Sequence, residues 1–167
     1  MTCFVSKGGY KSFLSAFCNG FNDGLAAGGG QGSVLQLPAT AFGDSTAVAQ
    51  AVRAHVLQNP SIDAMFAIGD QDTNATISGI QQAGKMGSVF VCGMNFNDSI
   101  LANIQQGTQA CAIDQQGYQQ GFFAVSILNN HVMYGTTIPT REILTGPGVI
   151  DASNVELVIA GVKAGAR

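Results

Sequence analysis

The chain has 167 residues, 46% of them apolar and only 10% charged, with a net charge of −3. The length suits one domain with a real core. The seven scattered Lys and Arg argue against a nucleic-acid partner, and no apolar run approaches a bilayer span, so no membrane insertion is expected.

Along the chain, strand-like and helix-like segments alternate. Residues 2–6 (TCFVS) form the first strand-like run, with no basic leader and long apolar stretch before it, so no signal peptide is expected on this chain. Residues 10–27 place Phe13, Leu14, Phe17, Phe21 and Leu25 at helical spacing, and Gly28-Gly29-Gly30 ends that helix. Residues 33–37 make a second strand, closed by Pro38. Asp44 or Ser45 caps a helix running to about Gln58, with Val48, Val52 and Val56 on one face and Asn59-Pro60 as the stop. The third strand covers 64–68. It is followed by a helix over 73–83 that Gly84 terminates.

The fourth strand, 88–92 (SVFVC), is apolar enough to be covered on both faces. Asn97 or Asp98 caps a helix over 99–106, and the fifth strand follows at 109–113. A long amphipathic helix covers 116–133. A last strand is expected at 141–144, before the loop TGPGVIDASN and a weak tail. Strands alternating with helices predict an α/β fold, a three-layer α-β-α sandwich with a mainly parallel sheet. In such sheets ligands bind beyond the carboxyl ends of the strands. Three successive strand ends carry short polar residues: Asp70 and Asp72, then Asn95 and Asn97, then Asp114, Gln115 and Gln116.

The bland reading of Asp70, Asp72, Asn97 and Asp98 is helix capping. Asp70-x-Asp72 lacks the further oxygen ligands of a metal pair, so no metal site is expected. Gly28 to Gly32 follows a helix rather than opening one, and Ser6-Lys7-Gly8-Gly9 lacks the spacing of a phosphate cradle. No G-x-S-x-G elbow occurs, and His55 and His131 sit away from strand ends. No catalytic residue and no cofactor is expected, and the chain reads as a non-enzyme. An enzyme on such a sheet would have to use Asp70 and Asp72. The sequons at Asn74 and Asn97 fall at helix starts and carry no weight. Cys3, Cys18, Cys92 and Cys111 form no C-x-x-C pair, and three lie in apolar runs, so unpaired, reduced thiols are expected, with a disulfide as the alternative.

The stretches CNGFNDGLA (18–26), NPSIDAMFAIGDQDTNATISGIQQAGK (59–85), SVFVCGMNFNDSILANIQQG (88–107), ACAIDQQGYQQGFFAV (110–125) and ILTGPGVIDASNV (143–155) occur in an order that resembles the type I periplasmic sugar-binding proteins. This ribose-binding family shares its fold with lactose-repressor-type regulators, and the T-G-P turn followed by Asn-Val looks more like a transport receptor than a repressor. The family has two α/β lobes joined by three crossing strands, closing on a sugar between them. The resemblance covers nearly the whole chain and is to the second lobe alone: 1–167 as one lobe, with 116–145 belonging to a first lobe in a full-length member.

The resemblance implies a solute-binding module of an ABC transporter, periplasmic, with a sugar or related polyol as ligand and the transporter permease as partner. A lone lobe implies a truncated half with impaired binding. Its ligand-binding residues would be Asn95, where the family usually has Asp, and Gln115, the family's hinge glutamine. Asp70 and Asp72 stand beside them, and Phe17 occupies the place of a sugar-reaching Arg. Gly69 replaces an Asn that often contacts ligand, and Asp70 matches an Asp that mainly caps its helix. The alternatives are a self-assembling lobe and the ligand-sensing core of a regulator. A homodimer would form through the helix carrying Phe122, Phe123 and Ile127, with exchange of that helix and the last strand.

Overall fold

The computed structural model describes residues 2–6, 11–41, 43–138 and 141–167, with 2–6, 11–14 and 39 described by backbone alone. The expectations for Lys7, Gly8, Gly9 and Tyr10, and for the side chains of Cys3, Phe13 and Leu14, lie outside the described residues.

The elements are β1 Thr2–Ser6, α1 Lys11–Ala27, β2 Ser33–Leu37, a short 3-10 turn Ala39–Ala41, α2 Ser45–Gln58, β3 Ala64–Ala67, α3 Asp70–Gln82, β4 Phe90–Met94, α4 Asp98–Gln105, β5 Cys111–Asp114, α5 Gly117–Tyr134, β6 Gly148–Asp151 and α6 Val155–Lys163. They form one six-stranded sheet of order β2-β1-β3-β4-β5-β6. β1 to β5 run parallel, and β6 alone is antiparallel, against β5. The expected α/β sandwich with a mainly parallel sheet is therefore the observed architecture.

Side-chain alternation along the strands divides the core between the two faces. On one face Met65, Ala67 and Val91 pack with Val48, Val52 and Val56 of α2 and Ile80 of α3. That layer continues as Ala112 and Ile150 under Ile100, Leu101 and Ile104 of α4 and Val155 and Val158 of α6. On the other face Phe66 and Met94 meet Cys18, Phe17 and Phe21 of α1, with Phe21 and Phe66 stacked at 5.2 Å. Gly79 lets α3 lie close on α2. A Cβ there would stand 2.9 Å from Val52 Cβ and 2.5 Å from the Ala49 carbonyl oxygen.

Several boundaries differ from the sequence reading. β4 and β5 each begin two residues late, because strands start where backbone pairing starts: Phe90 stands opposite Ala64, and Cys92 opposite Cys111. The last strand is at Gly148–Asp151, not 141–144. Ile150 is 1% exposed and pairs with Ala112, whereas Leu144 is 83% exposed. The tail is helix α6 rather than weak structure. Cys92 and Cys111 are not free thiols. They form a disulfide with Cα atoms 4.6 Å apart, a separation that register partners on neighbouring strands supply. Cys18 is disulfide-bonded too.

Opposite outcomes are expected for two glycine substitutions. Gly79→Ala should destabilise by roughly 1–3 kcal/mol, since overpacking outweighs the helix propensity gained. Gly121→Ala, on α5 with nothing within 4 Å, should stabilise by about 0.5–1 kcal/mol. Denaturant midpoints check both. Replacing Cys92 and Cys111 by Ala opens a loop of 19 residues and should cost about 3 kcal/mol on the same assay.

Candidate functional site

Because β1 to β5 are parallel, the loops after β3, β4 and β5 emerge at one edge. The loop after β4 turns at Asn95, whose φ is 65°. Asn tolerates this left-handed geometry better than most residues, and its N–H still donates to the Ile113 carbonyl at 2.8 Å. The loop after β5 turns at Gln116, with φ 56°, and the Gln116 N–H donates to Asp114 Oδ1 at 2.7 Å. Between these turns Gln115 Nε2 donates to Asn95 Oδ1 at 2.6 Å. The Gln115 carbonyl accepts from Gln120 Nε2 at 2.7 Å and from Thr145 Oγ1 at 3.2 Å. The returning segment 143–147, with a cis Gly146–Pro147 bond, thus lies against the same turn.

Two adjoining clefts open here. One, of about 440 Å³, has Phe17, Met94, Ile113, Gln115, Leu144 and Thr145 in its lining. The other, of about 230 Å³, includes Asn95, Phe96, Gln115, Gly117 and Gln120. An aromatic and aliphatic wall therefore stands beside a pair of neutral amides and one carboxylate, Asp114, which lines both clefts. That is the usual composition of a pocket for a small neutral molecule. A further cleft of about 440 Å³ lies at the opposite edge, lined by Leu25, Ser33, His55, Asn59 and Asp63 among others. Burial holds the His55 imidazole below its ordinary pKa.

The structure brings Phe17, Asn95 and Gln115 to one place but not the two acids. Neither Asp70 nor Asp72 lines these two clefts. Asp70 is not a helix cap: the N-cap of α3 is Gly69, with φ 113° and no side-chain capping bond, and Asp70 is the first helical residue. Its Oδ2 accepts from Asn97 Nδ2 at 3.0 Å. Asn97 does cap α4, its Oδ1 accepting from the Ile100 N–H at 3.0 Å. Ser99 Oγ donates to Asn97 Oδ1, and Asn74 Nδ2 to Ser99 Oγ. Asn103 Nδ2 then donates to Asn74 Oδ1, so a chain of side chains ties α3 to α4.

Asp72 is half-buried, and desolvation, with the neighbouring Asp70 charge, pushes its pKa up to about 6. Among the described residues, no group of three or more His, Cys, Asp or Glu is placed to hold a metal ion. The sequence marks Asp114 as a polar strand end, but Asp114, Phe96, Gln120 and Thr145 were not among the expected ligand-binding residues. The available signal for Asp114 was a carboxylate directly at the end of the apolar run CAID.

The periplasmic binding protein domain family matches residues 12–136. No curated protein matches the chain by sequence. Among solved structures, a carbohydrate transporter from Acidothermus cellulolyticus in complex with myo-inositol is 30% identical, with a TM-score of 0.81 over 99% of this chain and 55% of that one. A periplasmic ribose ABC transporter from Conexibacter woesei is 20% identical, with a TM-score of 0.81 over 99% of this chain and 54% of that one. An arabinose-binding protein from Geobacillus stearothermophilus is 18% identical, with a TM-score of 0.75 over 93% and 56%. The chain spans about half the length of these structures. With most of its length matched by that family and its fold that of one lobe of these structures, the chain belongs to the periplasmic binding protein domain family.

Proposed function

We propose that the chain is a solute-binding module of an ABC transporter, taking a small uncharged sugar or cyclic polyol in the cleft at the carboxyl ends of β4 and β5. The observation that carries this reading is the Gln115–Asn95 amide pair, bonded at 2.6 Å beside the Phe17 wall. Amides exchange bonds with hydroxyls at little electrostatic cost, and an aromatic face suits the C–H face of a ring. The family is a solute-binding, non-enzymatic one, and a relative held with myo-inositol supports a polyol ligand. Asp70 and Asp72 stay in the proposed site only as its rim. The Cys92–Cys111 disulfide fits an oxidising, extracytoplasmic compartment, where the transporter permease would be the partner.

Residues 116–145 are read as the part that packs on a second lobe. The support is that α5 buries none of its side chains, while Tyr118, Phe122, Val125, Leu128 and Val132 are each about half or more exposed. Apolar stripes of this size seek a cover. The same observation favours a second reading, a homodimer of these 167 residues through Phe122, Phe123 and Ile127.

Titration of the labelled chain with myo-inositol should move the side-chain amide signals of Asn95 and Gln115, with a Kd on the order of 1 mM for a cleft open on one side. Gln115→Ala should weaken this roughly tenfold. Shifts confined to the His55 cleft would overturn the proposal. Light scattering at tens of micromolar should give twice the monomer mass for the homodimer, and Phe122→Asp should abolish it; a monomer throughout removes that reading. Asp72 titrates in the fold at about 6 rather than 3.8, so folding takes up a proton between these values. Stability should therefore fall as pH rises from about 4 to about 6 and then level off. Asp72→Asn should flatten that slope and add about 1 kcal/mol above pH 6, the group being partly exposed and screened; unfolding measured across pH checks it.

A further inference from the structure

Asp114 closes β5 immediately before Gln115, and it is 5% exposed. Among the described residues it is the only charged side chain lining the two clefts at the carboxyl edge. A carboxylate this buried is costly unless both oxygens are answered. Oδ1 is answered locally by the Gln116 N–H, which the left-handed turn at Gln116 frees from the ladder. Oδ2 is buried and has no hydrogen-bond partner. What faces it is a charge from late in the chain: Arg167 Nη1, 3.5 Å away, on the tail that follows α6.

Backbone lies close on the same residue from a third side. A Cβ at Gly146 would stand 3.1 Å from the Asp114 carbonyl oxygen, and one at Gly148 would stand 3.7 Å from Asp114 Cβ. The outgoing turn into α5 and the returning segment into β6 therefore meet on Asp114. A small cleft of about 130 Å³ beneath them contains Asp114, Gln116, Gly117 and Arg167.

We propose that the Asp114–Arg167 pair positions Gln115: the buried carboxylate holds the Gln116 turn, Arg167 holds that carboxylate in place, and Gln115 is thereby aimed at Asn95. Arg167 is a positioning residue, since it lines neither cleft at the carboxyl edge; Asp114 lines both, and it acts on Gln115 through the Gln116 turn. This rests on the solute-binding reading for its effect on affinity, but not for its effect on the turn. A removed counter-charge leaves Oδ2 with no partner, and the least costly relief is rotation of the Asp114 side chain, which releases the Gln116 N–H and with it Gln115.

The test uses the full chain and the variants Arg167→Gln, Arg167→Lys and Asp114→Asn. In the ligand-free protein, Gln115 side-chain N–H signals should be well separated, because one proton is bonded to Asn95. Arg167→Gln should collapse that separation and shift the Gln116 and Gly117 amides, with the melting temperature little changed. Arg167→Lys should restore most of the pattern. Asp114→Asn, which keeps an acceptor for Gln116 but not the charge, should fall between. Affinity for myo-inositol should drop roughly threefold in Arg167→Gln and recover in Arg167→Lys. Gln115 and Gln116 signals identical to wild type in Arg167→Gln would overturn the proposal, as would an equal loss of stability and order throughout the lobe. If myo-inositol moves no signal in any protein while the ligand-free pattern changes as described, the solute reading fails and the positioning role stands.

Discussion

Cys92 faces Cys111 across the parallel pair β4–β5, and everything at the carboxyl edge inherits that register. Three residues beyond Cys92 the chain turns at Asn95. Four beyond Cys111 it reaches Gln115. Because the two strands start from a bridged pair and run in the same direction, their ends arrive together, and the amides bond at 2.6 Å. Slipping β4 by one residue would send Met94 to the opposite face of the sheet and carry Asn95 away from Gln115. The disulfide and the hydrogen-bonded ladder thus hold one alignment twice, once covalently and once through the backbone.

The next strand over is held differently. β3 ends at Ala67, and α3 starts after Gly69 without a side-chain cap. Thr73, fully buried, lies against Gly93 of β4, where any Cβ would collide with its hydroxyl. The hydroxyl itself donates to the Gly69 carbonyl at 2.6 Å. Asp70, freed from capping, takes part in the side-chain chain through Asn97, Ser99, Asn74 and Asn103. These polar residues at the strand ends therefore brace α3 against α4 rather than present an acid pair to a cleft. Asp72 is the exception, half-buried and held at a raised pKa by desolvation and its neighbour's charge.

One face of the sheet is fully dressed by α2, α3, α4 and α6, while α1 is the helix that packs on the other. α5 buries none of its side chains. A helix with no fully buried side chain gains little from tertiary contact, so its apolar stripe is a surface for something else. The lobe is thus asymmetric: tight where strands end in the cleft, open along α5.

Local chemistry in the sequence determined the class of fold. Apolar runs at strand length, helical spacing of Val48, Val52 and Val56, and glycines after helices are short-range signals, and from β1 to α5 the elements they mark lie within a few residues of where they were expected. Asp44 and Asn97 cap their helices because capping is decided within four residues. Phe17, Asn95 and Gln115 were found together because each was read at a strand end or by resemblance. Tertiary structure decided what depends on partners far along the chain. The last strand is Gly148–Asp151 because Ile150 needed Ala112 beside it, not because GVID alternates better than REIL. Asp70 lost its capping role because backbone geometry gave the N-cap to Gly69. Cys92 and Cys111 bonded because strand pairing brought their Cα atoms to 4.6 Å. Asp114 met Arg167, 53 residues later, at 3.5 Å because the fold brought the two together. A contact across that separation has no signature at either residue, only in the fold that closes the loop between them.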